Sequence, residues 1–85
     1  MNTMRKFAVV RVDRRGEWSP SYLRTFAVTG RNGLRQQTFG ERAEAHLFEG
    51  RAEAEDIARR LRRRVSATEY DYQVREVEQE APVLP

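Results

Sequence analysis

The sequence predicts a small α+β domain: a mainly antiparallel sheet of three to four strands with one amphipathic helix packed on one face, in the order β-β-β-α-β. Three observations carry this. Residues 5–13, 22–29 and 69–78 alternate between apolar and polar side chains, the period of a strand. Asn32-Gly33 falls between two extended stretches, the strongest short hairpin signal. Residues 51–65 carry a 3.6-residue apolar spacing. With 85 residues in total, one domain is the expectation.

Along the first strand, Ala8, Val10 and Val12 point one way and Phe7, Val9 and Arg11 the other, so both faces are apolar near its middle, as in a central strand. Residues 14–21 contain Gly16, Pro20 and two serines and read as a loop. The next strand puts Tyr22, Phe26 and Val28 on one face, with Arg24 breaking the pattern, and residues 34–39 return after the Gly30-Arg31-Asn32-Gly33 turn. Residues 40–49 suit either a short edge strand or a helix; Gly40 and Gly50 bracket them and favour the extended form. In the helix, Ala54, Ile57, Ala58, Leu61 and Val65 form one stripe. Acidic residues gather at its start and arginines at its end, complementing the helix dipole. The last strand presents Tyr70, Tyr72 and Val74 on one face and crosses back under the helix. Residues 1–78 are expected to form the domain and residues 79–85, with two prolines, a flexible tail.

Composition removes several function classes. Hydrophobic residues make up 39% and charged residues 34%, too apolar for a disordered chain and too charged for a membrane one. The longest apolar run, Phe7-Ala8-Val9-Val10, falls far short of the ~20 residues of a spanning helix and of a secretory h-region. A cytoplasmic location, the cytoplasm of a host cell included, is expected. There is no Cys and one His, which removes thiolate chemistry, disulfides and His-based metal clusters. No cofactor is expected: Gly30-Arg31-Asn32-Gly33 is a turn and not a phosphate loop.

Catalytic candidates are weak. Ser19, Ser21 and Ser66 lack a nucleophile-elbow context, and His46 is expected to be a half-exposed strand residue. Glu53, Glu55 and Asp56 suit a helix start without any function. Glu76, Glu78 and Glu80 run toward the tail and read as solvated charge. An enzyme is therefore the least favoured reading.

The unusual feature is the helix end, where Arg59, Arg60, Arg62, Arg63 and Arg64 lie within six residues. Glu55 is placed to pair with Arg59 and Asp56 with Arg60, at i,i+4. Arg62, Arg63 and Arg64 have no acid at that spacing, leaving their guanidinium groups for phosphates or carboxylates. A second feature is the opposite sheet face. If the helix covers Ala8, Val10 and Val12, then Phe7 and Val9 form an uncovered apolar patch, to be closed by a homodimer or a target. Arg59, Arg62, Arg63, Arg64, Phe7 and Val9 are thus the expected partner-binding residues.

The format, a short cysteine-free α+β domain, is similar to that of small accessory proteins of phages and plasmids, anti-CRISPR inhibitors among them. That likeness covers size and layout; no motif carries it and no functional residue transfers. It implies a non-enzymatic inhibitor docking on a host nucleic-acid-handling protein, through the arginine-rich helix end and the apolar sheet face. The alternative is direct binding of DNA or RNA, with the Arg59–Arg64 cluster on phosphates. A net charge of +3 is modest for a nucleic-acid-coating protein and favours the protein partner.

Overall fold

The computed structural model describes residues 3–63 and 69–80. Strand β1 (Thr3–Asp13), β2 (Ser21–Thr29) and β3 (Gly33–Gly40) are followed by a 3₁₀ turn (Arg42–Glu44), helix α1 (Arg51–Arg62) and β4 (Tyr70–Glu80). The four strands form one sheet in the order β3-β2-β1-β4, with every neighbouring pair antiparallel. The fold class and element order are those the sequence predicts. No described helix is long and apolar enough to cross a membrane.

The helix buries Ala54, Ile57, Ala58 and Leu61, the expected stripe; Val65 lies outside the described residues. These side chains pack on Val9, Leu23, Leu34, Phe48 and Tyr72, with Phe7, Phe26, Phe39, Tyr70 and Val74 around them. Val9 and Phe7 therefore lie on the helix side of the sheet, which corrects the expected assignment of faces. The register explains why. Val9 pairs with Val74 and Arg11 with Tyr72 across the β1–β4 ladder, and directly paired residues share a face. Tyr72 and Val74 could not lie under the helix without Val9. On the other face Val10 meets Gln73 and Tyr22, and Ala8 meets Arg75, so the richer apolar set is on the Val9 side.

The far face of the sheet is closed by its own polar side chains. Gln73 donates to Asp71 (3.1 Å) and Arg75 donates to Gln73 (3.2 Å). The Thr25 and Thr38 hydroxyls share a hydrogen bond of 2.6 Å, and Arg24 pairs with Glu44 at 3.2 Å. On this face Ala8 and Val10 are fully buried, and Val77, which pairs with Lys6, is buried too. Phe7 and Val9, on the helix side, do not form the expected uncovered apolar patch.

Two bulges shape the β2–β3 ribbon. Between the Leu23–Phe39 and Thr25–Thr38 pairs β2 carries one extra residue, and between Thr25–Thr38 and Ala27–Arg35 the extra residue is in β3, where Gln36 has φ 54°. A bulge shifts the side-chain alternation and strengthens the twist. Tyr22, paired with Val10 on the far face, and Phe26, packed on the core, thus do not share a face as simple alternation would have them. The hairpin turn differs as well. Its positive φ is at Gly30 (59°), not at Asn32. Gly33 is needed for close approach: a Cβ there would lie 2.3 Å from the Thr29 carbonyl oxygen.

Residues 40–49 are neither an edge strand nor an α-helix. After the 3₁₀ turn the chain runs between β1 and β2. The His46 N–H donates to the Leu23 carbonyl (2.8 Å), and Phe7 and Phe48 exchange two backbone hydrogen bonds (2.9 and 2.7 Å). β1 pairs with β2 only at Val10–Tyr22 and Arg11–Ser21; beyond that point the two strands part and this segment takes up backbone groups that would otherwise be orphaned. At the other edge β4 runs through Glu80, paired with Thr3, so the ladder passes the residue-78 boundary expected for the domain. Residues 81–85 lie outside the described residues.

Candidate binding cleft

The most exposed large hydrophobic side chain described is Trp18, 73% accessible, in the loop between β1 and β2. The local sequence fixes this loop. Asp13 ends β1, and its carboxylate accepts the backbone N–H groups of Arg15 (3.2 Å) and Glu17 (2.9 Å), as Asp commonly does at a turn. Its carbonyl accepts the N–H of Gly16 (3.1 Å), which has φ 70°, a value glycine adopts without strain. The Arg14 N–H donates to the Glu69 carbonyl (3.2 Å), tying the loop to the residue before β4. Trp18 directly follows this anchored turn.

Beside it is an open cleft of about 340 Å³ lined by Arg11, Asp13, Trp18, Ser19, Ser21 and Tyr70. An adjoining recess of about 130 Å³ shares Asp13, Trp18 and Tyr70 and adds Arg15, Glu17 and Glu69. Arg11 is half-buried. Its guanidinium lies over Phe39 (4.2 Å to the ring centroid) and Tyr70 (4.7 Å), an attractive placement for a cation.

The cleft has binding groups but no catalytic constellation. Both Asp13 carboxylate oxygens already accept backbone N–H groups, and neither Ser19 nor Ser21 has a neighbouring histidine among the lining residues. His46 lies elsewhere, edge-on to Phe26 and Phe48 (centroids 5.0 and 4.6 Å), where it acts as an aromatic flank of the core. No group of three His, Asp or Glu among the described residues is placed to hold a metal ion.

The residues singled out from sequence are dispersed. Val9 is fully buried and offers nothing to a partner. Phe7 is half-buried against the core, with the Arg51 guanidinium 5.0 Å from its ring centroid. Arg59 pairs with Asp56 and not with the expected Glu55. Arg60 donates to Asp56 (3.0 Å) as expected and also to the carbonyls of Gly30 (3.2 Å) and Gly33 (2.9 Å), clamping the β2–β3 turn to the helix. Arg62, expected to be free, donates through Nε to the Tyr72 carbonyl (3.1 Å). Arg63 follows the last helical turn and is exposed, without a side-chain partner among the described residues. Arg64 and Ser66 lie outside them, as do the side chains of Glu78 and Glu80. Of the described helix-end arginines, Arg59, Arg60 and Arg62 thus have partners within the chain, and Arg59, Arg62 and Arg63 remain exposed.

Trp18 escaped the periodicity argument because a loop residue belongs to no stripe. The signal available was compositional: it is the single tryptophan of the chain, between Gly16 and Pro20, where a large apolar ring has no core to enter. No protein-family model, curated protein or solved structure matches the chain.

Proposed function

We propose that this protein is a non-enzymatic binding module that docks on a protein partner through the β1–β2 end of its sheet, with Trp18 as the anchor. The observation that carries this reading is the 73% exposure of Trp18 directly after a turn whose backbone is hydrogen-bonded through Glu17. Binding hot spots are enriched in Trp, Tyr and Arg, and Tyr70 and Arg11 adjoin Trp18 in the cleft. A pre-fixed anchor also reduces the ordering cost of association. The narrower reading, a phage- or plasmid-type inhibitor acting on a host nucleic-acid-handling protein, draws its support from size, layout and charge alone.

The deciding experiment is affinity capture from an extract of the source cells, with and without nuclease, using the parent and Trp18→Ala. The expected result is a protein retained after nuclease treatment and lost, by tenfold or more in affinity, with Trp18→Ala. Its identification decides the narrower reading. Nuclease-sensitive capture, with a steep salt dependence of affinity for bare DNA or RNA, would instead establish the nucleic-acid reading, for which Arg14 and Arg15 stand near Trp18 in sequence.

A further inference from the structure

Arg11 is the unexplained group of the cleft. Its guanidinium takes part in no hydrogen bond or ion pair with a described residue although it is half-buried; the other described arginines without one, Arg31, Arg35 and Arg42 among them, are exposed. No buried side-chain nitrogen or oxygen lacks a partner, so the nitrogens of Arg11 must reach solvent, and the cleft is where Arg11 meets it. The rings of Phe39 and Tyr70 attract the cation but accept no conventional hydrogen bond from it, which leaves its five N–H donors for an oxyanion. The acid that lines the cleft, Asp13, makes no ion pair with it; the Asp13 carboxylate accepts the loop N–H groups of Arg15 and Glu17.

Resting on the protein-partner reading above, we propose that the cleft receives an acidic side chain from a peptide segment of the partner: its carboxylate forms a two-pronged pair with Arg11, and an apolar neighbour lies on Trp18. The surrounding charge favours a peptide over a phosphate backbone. The adjoining recess is lined by three acids, Asp13, Glu17 and Glu69, against one arginine, Arg15, a negative balance that would disfavour a polyanion and attract a basic residue next to the acid. The matching segment therefore carries an acid for Arg11, an apolar residue for Trp18 and a Lys or Arg for Glu17 and Glu69. Ser19, Ser21 and the Tyr70 hydroxyl supply further polar partners.

The test is selection of a random dodecapeptide display library on the full chain, followed by titration of the selected peptides while recording the fluorescence of Trp18, the single tryptophan. Selected peptides are expected to share an Asp or Glu beside a large apolar residue, to shift the Trp18 emission, and to lose at least tenfold in affinity when that acid is replaced by its amide. The last comparison uses the unaltered protein, so it holds even if a change at Arg11 disturbs folding. Arg11→Gln should reproduce the loss, and Arg11→Lys should recover only part of it, because an ammonium cannot form the fork. Failure to enrich any peptide, or indifference to the acid-to-amide change, overturns the Arg11 proposal. Peptides that need Trp18 but not the acid overturn it while leaving the docking reading intact. Peptides indifferent to Trp18→Ala, or tighter binding of oligothymidylate than of any peptide, overturn both.

Discussion

Replacing Val9 by Ala tests which face of the sheet forms the core. Val9 is 0% exposed, in the cluster with Leu61, Leu23 and Tyr72. The change deletes two methyl groups, about 1.6 kcal/mol of transfer free energy at ~0.8 kcal/mol per carbon. The vacated space adds to this at ~24 cal/mol per Å³, or about 1 kcal/mol for a void of some 50 Å³. A total of about 2–3 kcal/mol is a large share of the ~4–13 kcal/mol expected for a chain of this length. It corresponds to a fall in Tm of roughly 10–20 °C. Val12, half-exposed on the opposite face, should cost less than about 1 kcal/mol when changed to Ala. Urea denaturation of both variants, compared by midpoint at constant slope, gives the two values directly. A stable Val9→Ala together with a crippled Val12→Ala would refute the face assignment and the helix placement that follows from it.

The arginines give two further expectations. Arg60→Gln removes a charged tie to Asp56 and to two turn carbonyls; it should cost about 1–3 kcal/mol and speed hydrogen exchange of the β2–β3 turn amides, and unchanged exchange would contradict the clamp. Arg62→Gln should cost about 1 kcal/mol for its bond to the Tyr72 carbonyl, whereas Arg63→Gln should stay within ~0.5 kcal/mol; equal effects in thermal unfolding would contradict this division.

The helix stripe, the strand positions and the element order were legible because each rests on periodicity within one stretch of chain. Face assignment was not. β1 is apolar on both sides, and only the register that sets Val9 opposite Val74 chooses between them. The Asp56–Arg60 pair and an Arg63 unpaired among the described residues were legible, but Arg62 was misread for a related reason: spacing along a helix shows an acid four residues away, not the carbonyls of Gly30, Gly33 and Tyr72 that packing brings up. The cleft was least legible. Arg11, Trp18 and Tyr70 come from three places in the chain and meet only because β1 adjoins β4 and the loop folds back on Asp13.

The β1–β4 ladder has a kinetic consequence. It joins positions 13 and 70 at one end and 3 and 80 at the other, nearly the whole described chain. Closing that loop costs about 2–3 kcal/mol more than closing the β2–β3 hairpin, since the entropy lost grows with the logarithm of loop length. The hairpin and the helix are local and can form early; the longest ladder must close late. On a ribosome, the apolar flank of β1 and one side of the core stay open to water until β4 has been synthesised. Until β4 has emerged, therefore, the preceding elements form an unfinished half-core, which Tyr72 and Val74 complete.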